Sequence, residues 1–353
     1  MSEKKRIVIS RYIGERAMSL LNELDRDEWD IILWKENEPA SREWIEKNVP
    51  NATGLLVLLT DKVNESLLEI AGPSLRIVST MSVGYDHVDT SALRKRGIKL
   101  GFTPDVLTFA VADLTVLLCL MATRNAGEGL TLVKNGQWPN LAFGPFTLCG
   151  PQIGAGVDGT KPYTVGFVGF GRIAQATLKR LAPYDISRCI YTNSTSRQAP
   201  GPQAPSEADK ELAKSLGVGE IFAAPLDYVA KESDLVIVLA PGGPSTMHII
   251  DERFLRAMKN HAVLVNTSRG TLVDTDALVT ALREKWIWGT GLDVVEGEPL
   301  IKADHPLLAL PRAVVLPHIG SATTDTREAM AMLAVTNLVN GVLGRELERE
   351  VKI

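Results

Sequence analysis

Short apolar runs separated by amphipathic stretches recur along the whole chain. The runs RIVIS (residues 6–10), GLLVLL (54–59), LRIVSTM (75–81) and KLGFT (99–103) have the length and β-branched content of buried strands. Between them SREWIEKNV (41–49) and VNESLLEIAG (63–72) carry helical periodicity, the second starting at a capping Asn64 and ending at Gly72. After Pro104 the stretch VLTFAVADLTVLLCLMATRN (106–125) predicts a helix too apolar to face water, buried between domains or subunits. A glycine-rich loop, CGPQIGAGVDGTKPY (149–163), follows. Strand patterns then resume at GEIFA (219–223), LVIVLA (235–240), AVLVNTS (262–268), GTGLDVV (289–295) and AVVLPH (313–318). An apolar-faced helix, DTREAMAMLAVTNLVNGVLG (325–344), comes after the last of them. Strands alternating with helices predict parallel sheets covered on both faces.

The stretch TVGFVGFGRIAQATLKRLAPYDISRCIYTNSTSR (164–197) is strand, glycine turn, helix and strand. Gly169 permits a tight turn, Gly171 lets backbone approach a pyrophosphate, and Ala174 allows close packing of helix on strand. The free N–H groups opening the helix would hold the anion. A dinucleotide site that prefers NAD usually ends its second strand with a carboxylate for the ribose. Here that end reads Asn193, Ser194, Thr195, Ser196, Arg197. A 2′-phosphate would be opposed by a carboxylate and attracted by an arginine. The pattern therefore favours NADP(H), with NAD(H) as the other nicotinamide cofactor open to it. Asn193, Ser194 and Ser196 would supply hydrogen bonds and Arg197 would fork onto the phosphate. The following SRQAPGPQAPSEADK (196–210) reads as a surface excursion.

Three later strands deliver polar side chains to one sheet edge: Arg269 after VLVN, Asp293 and Glu298 after GTGL, and His318 after AVVLP. Ligands of open parallel sheets bind outside the carboxyl ends of strands. Any one of these could be a structural salt bridge or a capping residue, but three converging beside a nucleotide motif point to a ligand site.

Composition narrows the field. At 353 residues the chain has room for two domains. A formal net charge of −4 gives no reason to expect a nucleic-acid or membrane-surface partner. Cys119, Cys149 and Cys189 lack metal or CxxC spacing and read as free thiols of a reducing compartment, with no metal expected. MSEKKRIVIS has no signal-peptide core and no apolar run is long enough to span a bilayer, so the expected compartment is the cytoplasm. His87, His248, His261 and His305 have no ligand spacing, Trp286 and Trp288 read as packing, and Asp86 and Asp89 as helix caps.

The segments STMSVGYDHVD, GFTPDVLT, VGFVGFGRI, NTSRGTLVD, GLDVVEGEPL and LPHIGSAT together make the chain recognisable. From about Leu55 to the C-terminus it resembles the D-2-hydroxyacid dehydrogenase family, most closely the glyoxylate/hydroxypyruvate reductase branch. The resemblance implies two Rossmann-like or flavodoxin-like doubly wound parallel-sheet domains with the active site in the cleft between them. Residues 1–106 and 324–353 would form a discontinuous substrate domain, and 107–323 the dinucleotide domain. It maps the catalytic roles onto Arg269, Glu298 and His318, and the substrate-carboxylate loop onto Val83 and Gly84. The cofactor would be lined by Gly169, Gly171, Arg172, Ile173, Ala240, Pro241, Thr267, Ser268, Asp293 and Gly320, with Asp293 near the nicotinamide carboxamide. The long helix, and Trp138 nearby, would supply a homodimer interface. The activity implied is NADPH-dependent reduction of a small 2-oxo acid, glyoxylate to glycolate or hydroxypyruvate to D-glycerate. Two relatives in fold compete with it: an NAD-dependent dehydrogenase of phosphoglycerate or D-lactate type, and a nucleotide-gated corepressor that is a binding module. Departures from the family pattern are Asp113 where many members carry Glu, the pair Gly242–Gly243, and a longer loop at 150–162.

Overall fold

A computed structural model describes residues 4–353. The chain divides into two compact units, one of residues up to Leu107 together with Ser321–Ile353, the other Thr108–Gly320. These junctions lie one and three residues from the expected 106 and 324. Ser321–Thr323 go with the returning helix because Thr323 caps it, accepting the Thr326 N–H.

In the first unit, strands β1 (Lys5–Ile9), β2 (Trp29–Leu33), β3 (Gly54–Val57), β4 (Ile77–Thr80) and β5 (Lys99–Gly101) form a parallel sheet in the order β2-β1-β3-β4-β5. That is the flavodoxin-like order. Strand β2 was absent from the sequence reading. It is an edge strand, buried only at Trp29, so its pattern lacks the continuous apolar run of its neighbours. Val8, Leu55, Val57, Val78 and Leu100 pack one face against Ile45, Leu67, Leu68 and Leu93 from the capped helices. The other face is covered by the helix Thr324–Val342. A Cβ on Gly54 would meet Leu338 and Val342 at 2.8 Å, and one on Gly341 would meet Ile77 at 2.6 Å, so both glycines let helix and sheet approach. Asn64 and Asp89 cap as expected, accepting Leu67 N and Ala92 N, whereas Asp86 is not the N-cap of Thr90–Arg96. Ser41, not singled out in the sequence, caps its helix by accepting Trp44 N.

The second unit holds β6 (Thr164–Val168), β7 (Arg188–Thr192), β8 (Glu220–Ala223), β9 (Leu235–Val238), β10 (Val263–Asn266), β11 (Gly289–Leu292) and β12 (Ala313–Val315). All pairings are parallel, in the order β12-β11-β10-β9-β6-β7-β8, the Rossmann order with one added strand. Alternate residues of each strand feed two separate cores, Leu235 and Ile237 one, Val236 and Val238 the other. This is a doubly wound sheet. Fully burying each such side chain stabilises by roughly 1.5–3 kcal/mol.

The long apolar helix is Thr108–Thr123, with Leu118, Cys119 and Ala122 in the second core. Among the described residues no single helix is long and apolar enough to cross a membrane. Cys119 and Cys189 are buried thiols, and burial pushes both well above the ordinary range; Cys149 is exposed. The excursion at 196–210 ends sooner than expected. Ser206 and Asp209 form a reciprocal capping box that opens the helix Glu207–Leu216.

Candidate active site

The carboxyl edge of the seven-stranded sheet collects nearly all the residues singled out by sequence. Gly169 lies at φ +91°, and a Cβ there would fall 2.6 Å from Ala240 N, so the turns after β6 and β9 meet backbone to backbone. Gly171 caps the helix Arg172–Leu181 without a side-chain bond, and a Cβ there would meet nothing within 4 Å. No acid occupies the first turn. This N-terminus is therefore a positive, sterically open end with Arg172 and Ile173 at its start. Ala174 is buried against the sheet, as its place in the motif requires.

A cavity of about 950 Å³ opens beside this turn, lined among others by Gly169, Gly171, Asn193, Ser194, Arg197, Ala240 and Pro241. The end of β7 is organised by an Asx turn. Asn193 Oδ1 accepts the N–H groups of Thr195 (2.9 Å) and Ser196 (2.8 Å). Arg197 Nη1 donates to Ser245 O at 2.9 Å, joining the rims after β7 and β9. Ser196 departs from expectation. It is fully buried, and its Oγ accepts the Asn193 N–H at 3.0 Å, so it builds the turn and is turned away from a ligand.

Three wall residues were missed by sequence. Phe170 stacks on Tyr191, with ring centroids 4.4 Å apart. The Tyr191 hydroxyl donates to Asp209, and burial followed by that carboxylate pushes it up to about 12. Asp209 lines the cavity together with Glu211, and its oxygens also accept from Ser206 N and Oγ. Only the Ser-x-x-Asp spacing hinted at it.

After β10, Asn266 is buried and braces the loop that carries Arg269. Its Nδ2 donates to Arg269 O at 2.8 Å and its Oδ1 accepts from Ser268 N at 3.1 Å. Thr267 bonds Thr115 at 2.8 Å; the Thr115 proton goes to Val111 O, so Thr267 is the donor. A Cβ on Gly270 would lie 2.2 Å from Val295 C, which puts the β10 and β11 loops in backbone contact.

After β11, Asp293 is 1% exposed. Its carboxylate accepts Ile319 N (2.8 Å) and Gly320 N (2.7 Å), and its carbonyl accepts His318 N (2.8 Å). Burial raises its carboxyl above the usual range although these N–H groups pull the other way. Asp293, expected beside a nicotinamide carboxamide, clasps the turn that presents His318. His318 is held at φ 54°, and its Nδ1–H donates to Glu298 Oε1 at 2.9 Å. The second Glu298 oxygen accepts Val295 N at 3.3 Å. A carboxylate on Nδ1 leaves Nε2 as the nitrogen that exchanges a proton. Arg269, Glu298 and His318 thus come to one edge of the second unit. Val83 and Gly84 belong to the first unit, in the half-buried loop after β4.

The remaining polar residues have local partners. Asp113 pairs with Arg180 at 2.5 Å, His248 with Glu296 at 3.0 Å and His261 with Asp234 at 2.8 Å. Among the described residues no group of three or more His, Cys, Asp or Glu could hold a metal.

An open parallel sheet with a glycine turn and a carboxylate-backed histidine at its carboxyl edge defines a nicotinamide-dinucleotide oxidoreductase. Comparison with known proteins fixes the family. Residues 116–320 match the model of the D-isomer specific 2-hydroxyacid dehydrogenase, NAD binding domain. The chain is 40% identical over 324 residues to the mouse glyoxylate reductase/hydroxypyruvate reductase, covering 92% of this chain and 91% of the relative. It is 38% identical over 337 residues to the glyoxylate reductase of Thermofilum pendens, covering 95% and 91%. A solved NADPH-dependent glyoxylate/hydroxypyruvate reductase of Sinorhizobium meliloti, in complex with NADP and malonate, superimposes with a TM-score of 0.76 at 30% identity, covering 99% of this chain and 97% of that one. The chain belongs to the D-isomer-specific 2-hydroxyacid dehydrogenase family.

Proposed function

We propose that the protein reduces a small 2-oxo acid, glyoxylate to glycolate or hydroxypyruvate to D-glycerate, with NADPH as the preferred reductant. The observation that carries this reading is the Glu298–His318 pair at 2.9 Å on the edge that also presents Arg269. The named activities of the mouse, Thermofilum and Sinorhizobium relatives support it.

The residues fit a dinucleotide. The open helix N-terminus after Gly171 takes the pyrophosphate, and Ala240 and Pro241 line the adenosine side of the cavity. Asn193, Ser194 and Arg197 line the cavity, and residues 193–197 after β7 include no carboxylate, which suits a 2′-phosphate; Asp209 on the same wall is engaged by Tyr191 and Ser206. The reduced nicotinamide, when bound, supplies the hydride. In this reading the N–H groups of Val83 and Gly84 hold the substrate carboxylate. Arg269 pairs with that carboxylate and polarises the keto oxygen. His318 Nε2 gives the proton that the oxygen needs as it becomes a hydroxyl, and Glu298 holds the ring in the required tautomer. We also infer a homodimer, in keeping with the exposed Phe109, Trp138, Phe143 and Phe146 along residues 109–146.

The test is initial rates of glyoxylate and hydroxypyruvate reduction, each with NADPH and with NADH. Faster turnover with NADPH supports the whole reading. Equal or faster rates with NADH would remove the 2′-phosphate assignment and leave the reductase. No turnover with either acid would remove both.

A further inference from the structure

We infer that His87 is a positioning residue that fixes the Val83–Gly84 backbone through a directed chain of buried hydroxyls. The inference rests on the proposed role of Val83 and Gly84 as the substrate-carboxylate loop.

Four groups form the chain. His87 Nε2 lies 2.9 Å from Thr80 Oγ1, Thr80 Oγ1 lies 2.7 Å from Ser82 Oγ, and Ser82 Oγ lies 2.7 Å from Gly84 O. Thr80 and Ser82 are buried, at 0% and 3% exposure, so water does not compete for these bonds. Counting protons gives the direction. A carbonyl oxygen only accepts, so the single Ser82 proton goes to Gly84 O. Ser82 Oγ must then receive its bond from Thr80, and Thr80 Oγ1 must receive one from His87. The His87 ring therefore carries its proton on Nε2. That donor is present in both the neutral ring and the imidazolium.

The consequence falls on the peptide planes. Ser82 O accepts the Thr103 N–H at 2.8 Å, and Gly84 O accepts Ser82 Oγ. A trans peptide is planar, so committing a carbonyl commits the N–H on the opposite side of the same plane. Val83 N–H, in the Ser82 plane, is thereby aimed away from Thr103. The middle peptide, which carries Gly84 N–H, is bracketed by two fixed planes. The histidine end is itself anchored, since His87 O accepts Val63 N at 2.8 Å. Gly84 would otherwise be the freest residue of the loop, and the hydroxyl chain removes that freedom before substrate arrives.

The experiment compares wild type with His87→Phe, His87→Gln and Ser82→Ala. Glyoxylate is titrated at saturating dinucleotide, and dinucleotide at saturating glyoxylate. Losing one ordinary hydrogen bond from the loop should raise the glyoxylate KM roughly fivefold in His87→Phe and Ser82→Ala. The fall in kcat should be smaller and the dinucleotide KM unchanged. His87→Gln, which retains an N–H donor, should recover most of the loss. An unchanged glyoxylate KM, a loss confined to kcat, or a Gln variant as poor as Phe would overturn the inference. Imidazole nitrogen NMR of the wild type provides a second readout independent of turnover. It should show the Nε2–H form for His87, and an Nδ1–H form would sink the chain even in a fully active enzyme. A wild type that reduces neither acid, with His87 in its Nε2–H form, would instead overturn the substrate role of the loop and with it this inference.

Discussion

In the first unit, β1 runs through Ser10 to Gly14 and a helix that opens with Glu15; in the second, β6 runs through Gly169 and Gly171 to a helix that opens with Arg172. Each turn uses a glycine at positive φ, 85° at Gly14 and 91° at Gly169. Their surroundings differ. A Cβ at Gly14 would meet nothing within 4 Å, whereas at Gly169 it would strike the Ala240 backbone. Glu15 already satisfies the positive helix end of the first turn. Nearby, the buried Asp61 carboxylate accepts Ser10 Oγ at 2.5 Å and Leu58 N at 2.9 Å. That edge supplies its own anions. The second turn has no acid in its helix start, and Asp209 on the cavity wall is committed to Tyr191 and Ser206. Two sheets of one architecture thus differ as ligand sites through a few side chains at their carboxyl edges.

The largest effect should come from stripping the richer edge of its chemistry. Arg269→Ala is expected to lower kcat/KM for the keto acid about 10²–10³-fold. Dinucleotide affinity, measured by fluorescence titration, should change little. Near-normal turnover would refute the assignment of Arg269.

Next come the two glycines. Gly169→Ala adds a backbone collision to positive-φ strain and should abolish dinucleotide binding while lowering the melting temperature steeply. Gly14→Ala carries strain alone, about 1–3 kcal/mol, and should leave dinucleotide affinity intact. Equal losses of binding in the two variants would erase the distinction between the turns.

Charge at the helix ends gives a finer contrast. Arg172→Glu, which copies the first unit's arrangement, should raise the dinucleotide KM about tenfold, and added salt should shrink the difference. Glu15→Arg should leave that KM where it is.

The smallest effect concerns the opposite, amino edge of the second sheet, where a carboxylate is structural. Asp234 accepts Thr164 N, Lys259 Nζ and His261 Nε2, each at 2.8 Å. Burial works to raise its carboxyl, but these donors outweigh burial and hold it below the usual range. A lowered folded pKa stabilises the protein above the unfolded carboxylate value of about 3.9 and loses that contribution as pH falls through the folded value. Asp234→Asn should therefore cost roughly 1–3 kcal/mol in denaturant melts at neutral pH. The gap from wild type should narrow below about pH 4. A gap that stays constant across this range would count against the charge having any part in it.

Much of this was legible in advance because the signals are local. Buried strands announce themselves as apolar runs, caps as Asn64 and Asp89, and the nucleotide turn as Gly169-x-Gly171 between a strand and a helix. Arg269, Glu298 and His318 could be picked out because each lies just beyond a strand end. Other features were hidden. Strand β2 escaped because an edge strand is only half-buried. Asp293 was read from its place at a strand end, and nothing local shows that its two oxygens also accept Ile319 N and Gly320 N. Ser196 looked like a donor to phosphate until the Asx turn drew its hydroxyl inward.

The sequence by itself determined the two parallel sheets, the family and the identity of the residues at the carboxyl edge, because hydrophobic period, capping and turn chemistry act over a few residues. Tertiary structure decided which of those side chains remain available. That choice depends on proton counts and backbone contacts between segments far apart in the chain, as where Gly169 meets Ala240, Asp293 clasps the His318 turn and Thr80 links His87 to Ser82.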